Sequence, residues 1–307
     1  MSLNADLKND FSGLSIVIQG PTELSGLPIA TLAARTARDA FPGAEVILSS
    51  WCGDQIDKVR NLVDKLVLSV DPGPQHHSAG VLNINRQIIS SRAGVGVATR
   101  PYVLKARSDL IFRDSRLWTE YHAHQRLFRT AQGHDPILIT NLTTINPRRQ
   151  ERYFALCDWI YLGPRDKMVE LVATPPFPDD YLTYQLNGES LLRFNAEQWI
   201  VVNFLARYGL DLDTLPNGYV TGATIARVHS ELVGRYFALT SWFRLGLGTQ
   251  KHRIATFSLD EMYTHREWAE EFFDRHKFLD PERMIISAVY HPLIRATAKR
   301  LRKLLIA

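Results

Sequence analysis

Short apolar runs alternate with longer amphipathic stretches from residue 10 to residue 110. Ser15-Ile16-Val17-Ile18-Gln19-Gly20 is a β-branched run stopped at Gly20-Pro21, which predicts a buried strand ending in a turn. Leu27 to Ala40 is rich in Ala, Leu and Arg, with Pro28 where a helix best tolerates it, and Phe41-Pro42-Gly43 closes it. Glu45 to Ser50 and Lys65 to Val70 predict the second and third strands. Asn83 to Thr99 predicts a helix that Gly94 and Gly96 shorten, and Tyr102 to Ala106 a fourth strand running into Arg107-Ser108-Asp109. Nearly all-apolar strands separated by helices predict a parallel sheet covered on both faces. Ligands bind such sheets beyond the carboxyl ends of the strands, where the strand order reverses. The polar residues gather at those ends, as Gln19-Gly20-Pro21, Ser49-Ser50-Trp51, Asp71-Pro72-Gly73 and Ser108-Asp109. Four strand ends therefore predict one crevice.

The rest of the chain is less regular. Ile137 to Thr140 and Trp159 to Gly163 read as strands, Pro164 to Leu171 as a helix, and Thr174-Pro175-Pro176-Phe177-Pro178 as a link. Ile200, Val201, Phe204 and Leu205 make a helical stripe between Glu197 and Tyr208, ended by Gly209. From about Leu232 the chain is aromatic and charged and reads as helical, with breaks at Pro281 and Pro292. The expected organisation is a main domain over residues 1–230 and a helical extension over 231–307. In the tail, Ile294, Ala298, Leu301 and Leu305 recur at helical spacing while Arg295, Lys299, Arg302 and Lys303 take other faces. Such a basic amphipathic helix suits an anionic membrane surface, and equally a packed helix with a solvated basic side.

Composition narrows the classes. Of 307 residues, 45% are hydrophobic and 22% charged, which excludes a disordered or fibrous chain. Thirty-six Lys and Arg against 32 Asp and Glu give +4, too weak a balance to argue for nucleic acid. Cys52 and Cys157 are the only cysteines, so there is neither a disulfide framework nor a Cys-based metal spacing. The start MSLNADLKND lacks an apolar signal core, and no run reaches the ~18 apolar residues of a membrane span. We expect a cytoplasmic protein, peripheral to the membrane at most.

The candidate chemistry follows the strand ends. Asp109, after a central strand, can bridge a divalent cation to a diphosphate, since Mg²⁺ or Mn²⁺ needs few protein ligands when phosphates supply the rest; it can also simply cap a turn. Asp114 is a second possible ligand. Asp71 can hold a ribose or base, although Asp-Pro-Gly is also an ordinary turn. Gln19-Gly20-Pro21 allows close backbone approach to a ligand, and a plain turn needs the same Gly. Asn85 and Arg86 stand at a helix start, a place for a diphosphate or for a solvated cap. Glu197 either complements a helix dipole after the Asn195 cap or acts as a general base. Asp180, with Asp179, is the rival carboxylate. Neither GxGxxG nor GxxxxGK[ST] is present, and His76-His77 and His122-x-His124 lack a third ligand.

In order along the chain, Val17-Ile18-Gln19-Gly20-Pro21, Phe41-Pro42-Gly43-Ala44-Glu45-Val46-Ile47-Leu48-Ser49-Ser50-Trp51, Asp71-Pro72-Gly73, Asn83-Ile84-Asn85-Arg86-Gln87 and Leu104-Lys105-Ala106-Arg107-Ser108-Asp109-Leu110 resemble the WavE family of bacterial lipopolysaccharide-synthesis proteins. Ala196-Glu197-Gln198-Trp199 resembles that family's Glu-Gln element. The resemblance implies a GT-A-like, Rossmann-like α/β fold, with a mostly parallel sheet flanked by helices and a helical C-terminal extension, and a glycosyltransferase that uses a nucleotide-sugar donor and a glycan or lipid-linked acceptor. It implies that Gln19, Gly20, Pro21, Asp71, Asn85, Arg86 and Arg107 bind nucleotide, that Asp109 binds the cation, and that Glu197 is the base. Arg107 stands where the first Asp of the Asp-x-Asp metal motif of such enzymes would be. A sugar nucleotidyltransferase or a non-catalytic nucleotide- or glycan-binding scaffold is the alternative. The first usually carries a Gly- and Lys/Arg-rich phosphate loop after strand one, where this chain has Pro21-Thr22-Glu23-Leu24.

Overall fold

The structure, a computed structural model, describes residues 10–272 apart from 78–79, 179–181, 187, 253–256 and 258. The first half runs β1 (Leu14–Gln19), α1 (Ile29–Ala40), β2 (Glu45–Trp51), α2 (Asp57–Arg60), β3 (Lys65–Ser69), β4 (Gln75–His77), β5 (Gly80–Leu82), α3 (Ile84–Gly96), β6 (Tyr102–Arg107), β7 (Leu110–Phe112) and α4 (Arg116–Gln132). The second runs β8 (Ile137–Thr140), β9 (Ile160–Pro164), α5 (Arg165–Val172), β10 (Thr183–Leu186), β11 (Glu189–Leu192), α6 (Ala196–Ala206), α7 (Ala223–Tyr236), β12 (Phe237–Thr240), β13 (Leu247–Thr249) and α8 (His265–Phe272). Among the described residues, no helix is long and apolar enough to cross a membrane.

Seven strands form one sheet in the order β12-β8-β9-β6-β1-β2-β3. Every residue of β1 and β2 is buried, as the sequence predicts for strands covered on both faces. Helices α3, α5 and α6 pack against one another, with α3 lying on β1 and β2. Helices α1 and α4 are joined through edge-on contacts of Phe11 with Phe41 and Trp118. The chain lays β1, β2 and β3 outward in one direction, then returns to place β6 on the other side of β1. The switch point thus lies between β1 and β6, and a crevice opens beyond their carboxyl ends.

The sheet is mostly parallel, as expected, and the exception is β9, which runs antiparallel to both β6 and β8. Its first residues, not its last, therefore reach the crevice edge. The segment from Leu232 is not helical throughout, because Phe237–Thr240 forms β12, which pairs in parallel with β8 at the sheet's edge. Residues 247–249 then pair with β7 beside the crevice. The basic tail from Pro292 lies outside the described residues.

One glycine sets how closely α3 approaches the sheet. A Cβ on Gly94 would stand 2.4 Å from Val17 Cγ1 and 2.8 Å from Ser49 Cβ, so α3 sits on the sheet at a distance only glycine permits. Gly94→Ala gains up to ~1 kcal/mol of helix propensity but overpacks a strand-bound surface, which typically costs about 1–3 kcal/mol. Overpacking wins at these distances. We expect Gly94→Ala to lower the urea midpoint, and a midpoint at or above wild type would refute this packing.

Candidate active site

Backbone bonds bring three strand ends together. Ser108 N–H donates to Gln19 O at 2.8 Å, and Gly20 N–H to Ser49 O at 3.0 Å. Gly20 has φ +128°, and a Cβ there would meet Ser108 Oγ at 2.8 Å. The left-handed backbone requires glycine, and a side chain there would also crowd the Ser108 hydroxyl. Above this floor lies a cavity of about 430 Å³ whose lining includes Gln19, Gly20, Pro21, Asp71, Arg86, Arg107 and Asp109. Seven of the sequence-predicted residues thus share one cavity.

Asn85 does not. Its amide donates to Phe177 O at 3.0 Å and accepts from Phe177 N–H at 2.6 Å, fixing the Pro-rich link against α3. Asn83, Arg86 and Gln87 face the cavity instead. Asp179 and Asp180 lie outside the described residues. Asp114 is held by Arg116 at 2.9 Å.

A second cavity of about 270 Å³ adjoins the first, and Asn83, Gln87 and Arg107 line both. Its distinctive members are Asp158, Trp159, Asn195 and Glu197. Asn195 caps α6 in a reciprocal capping box with Gln198, as the local sequence predicts. The cap fixes the first turn, and Asn195 Nδ2 donates to Glu197 Oε1 at 2.8 Å. Asp158 faces Glu197's cavity from the start of β9; Gln87 donates to its carboxylate, and the wholly buried Lys105 donates to its carbonyl at 2.5 Å. Burial, and then the neighbouring Asp158, push the Glu197 carboxyl up to about 7. Burial likewise presses Lys105 down to about 8, opposed by Asp158.

Arg107 stands at the junction. Its Nε and Nη2 donate to the two oxygens of Asp109 at 3.0 and 2.7 Å, and Asp109 is only 3% exposed. The guanidinium lies 4.7 Å from the centre of the Trp159 ring, and His252 stacks on that ring at 4.8 Å. Burial, reinforced by Arg107, keeps the His252 ring below its ordinary pKa, so neutral Nε2 can accept from Nη2 3.1 Å away. In the larger cavity Arg86 grips Asp71 with both Nε and Nη2, at 2.7 and 2.5 Å, and that grip holds the Asp71 carboxyl below its usual range.

The donor set does not suit a divalent cation. Both oxygens of Asp109 already accept from a guanidinium, whose charge would repel a second cation. Among the described residues, no three His, Cys, Asp or Glu side chains gather as a ligand set.

The chain matches the family described as WavE lipopolysaccharide synthesis over residues 14–304. It belongs to that family. No curated protein matches this WavE chain. Similar solved structures include a cytidylyltransferase from Leptospira borgpetersenii serovar Hardjo-bovis, at TM-score 0.34 and 14% identity, covering 54% of this chain and 66% of that one. Staphylococcus aureus TarS is similar at TM-score 0.36 and 13% identity, covering 72% and 43%. A structure of TarS 1-349 gives 0.36 and 14%, covering 62% and 54%. The WavE chain thus spans less than two thirds of each of those chains. Likenesses this distant leave function to be argued from the site.

Asp158, Trp159, Lys251 and His252 escaped the sequence reading. The signal for the first two was the polar Asp158 immediately before an apolar run, at a strand start rather than a strand end. The other two carried none.

The raised Glu197 carboxyl has a consequence for stability. In the unfolded chain it titrates near ~4.3, so between about 4.3 and about 7 the folded state holds a proton that the unfolded chain has released. That contribution is full below the unfolded value and lost as pH rises through the folded one. Glu197→Gln should therefore gain stability relative to wild type between pH 5 and pH 8 in urea denaturation. A difference that does not change with pH would contradict the buried-carboxyl assignment.

Proposed function

We propose that this protein is a glycosyltransferase of GT-A type, which moves a sugar from a nucleotide-sugar donor to a hydroxyl of a lipopolysaccharide or related surface glycan. The carrying observation is that two adjoining cavities share Arg107, one offering groups for a nucleoside diphosphate and the other two carboxylates. Gln19, Gly20, Pro21 and Asp71 hold the nucleoside. Arg86, Arg107 and the start of α3 hold the diphosphate, because a helix N-terminus favours negative charge. The sugar lies across the junction, and the acceptor hydroxyl enters the smaller cavity beside Glu197.

In the transfer, the acceptor oxygen bonds to the anomeric carbon while the bond from that carbon to the diphosphate oxygen breaks. The electron pair of that bond leaves with the nucleoside diphosphate, whose growing charge falls on Arg107. The acceptor proton passes to the Glu197 carboxylate. A carboxyl with its pKa near the working pH suits this task, since it is ionised enough to accept and basic enough to pull. Burial, and then the charge of Asp158, set that basicity. The enzyme works in the cytoplasm, and a lipid-linked acceptor brings it to the inner face of the membrane.

Glu197→Gln should keep donor binding and lose about 10²–10⁴-fold in turnover. Turnover of the wild type should rise with pH to a limb near about 7, and Asp158→Asn should move that limb to lower pH by removing the neighbouring negative charge. The measurement is release of nucleoside diphosphate from a nucleotide-sugar panel with a glycan acceptor. Full turnover in Glu197→Gln would remove it as the base and revive the scaffold alternative.

A further inference from the structure

We propose that Arg107 replaces the divalent cation, so that the protein binds a nucleoside diphosphate without metal. The inference rests on the nucleotide-sugar reading and names the form in which the ligand is held.

Among the described residues, Arg107 is the basic side chain that lines both cavities. It is fixed there on three sides, by both oxygens of Asp109, by the Trp159 face and by His252. A guanidinium has five N–H donors in a rigid fork. Nε and Nη2 are engaged, whereas Nη1 has no hydrogen-bond partner among the described residues and keeps two donors for phosphate oxygens. Asp109, which would be a metal ligand in an Asp-x-Asp site, here serves as a positioning residue that aims the fork.

Lys251 lines the same cavity as Arg107, together with the Arg86–Asp71 pair and the carboxylate of Asp54. Helix α3 starts there, and its first turn carries no acidic residue and no side-chain cap. A separate observation points to a ligand in this cavity: Gln19, 7% exposed, has an Oε1 with no hydrogen-bond partner among the described residues. Buried acceptors are rarely left so, and a nucleobase N–H would satisfy it.

The test is calorimetric titration of the full chain with UDP, GDP, CDP and ADP, each in EDTA and in Mn²⁺. We expect at least one nucleotide to bind in EDTA with little change on adding Mn²⁺. Arg107→Ala should weaken that binding by about tenfold or more, the range for hydrogen bonds to charged groups. Arg107→Lys, which keeps the charge but not the fork, should fall between. In Arg107→Ala the Asp109 oxygens are released, and Mn²⁺ should recover part of the loss. If Arg107→Ala does not fold, the wild-type titrations and Arg107→Lys still decide. Wild-type binding that appears only with Mn²⁺ overturns this inference and leaves the nucleotide-sugar reading standing. Equal binding by wild type and Arg107→Ala in EDTA removes Arg107 from the diphosphate. No binding under either condition overturns both readings.

Discussion

Gly20 ends β1 at φ +128° beside the Ser108 hydroxyl that follows β6, a backbone turn that only glycine makes without strain, and the crevice takes its shape from that turn. Ser108 N–H bonds Gln19 O, and Ser50 Oγ donates to Gly20 O at 2.8 Å, so β1, β2 and β6 share one rigid floor. Arg107 and Asp109 flank Ser108 and inherit its position. Rigid elements place functional groups more accurately than loops do. Here the guanidinium at the heart of the site is built on the end of a buried central strand.

The charges of the crevice divide into two kinds. Asp109 with Arg107, and Asp71 with Arg86, are ion pairs with two hydrogen bonds each, a strong and directional geometry. Glu197 is taken out of water, has one amide donor from Asn195 and faces a second carboxylate, so its charged form is disfavoured. Ion pairs held in fixed geometry suit binding, and a group poised between two protonation states suits proton transfer. The two kinds fall in different cavities, with Arg107 between them.

Much of this was legible in the sequence. Buried strands read as β-branched runs, and the strand-end rule then selects Gln19, Asp71 and Asp109, while Arg107 enters through the family resemblance. Helical geometry explains Asn85: Arg86 and Gln87 follow Asn83 by three and four residues and share its face, whereas Asn85 follows by two and points away. The direction of β9 was not legible, because an apolar strand reads alike whichever way it runs. Asp158 and Trp159 were hidden with it. Phe237–Thr240 is a short strand formed by its pairing with β8 rather than by local preference. Lys251 and His252 arrive through the three-residue β13, too short to leave a periodicity.

The return of β13 to β7 also bears on how the protein is made. Gln250 N–H bonds Asp109 O at 2.8 Å, and its side chain bonds Ile29 O at 3.1 Å, so this late segment ties together parts of the chain synthesised long before. Strands β1, β2, β3 and β6 can pair while the ribosome is still translating the second half. The Trp159–His252 stack beside Arg107 cannot form until residue 252 has emerged. A nascent chain therefore carries its sheet well before it carries a finished crevice, and the ability to engage a charged ligand is acquired late in synthesis.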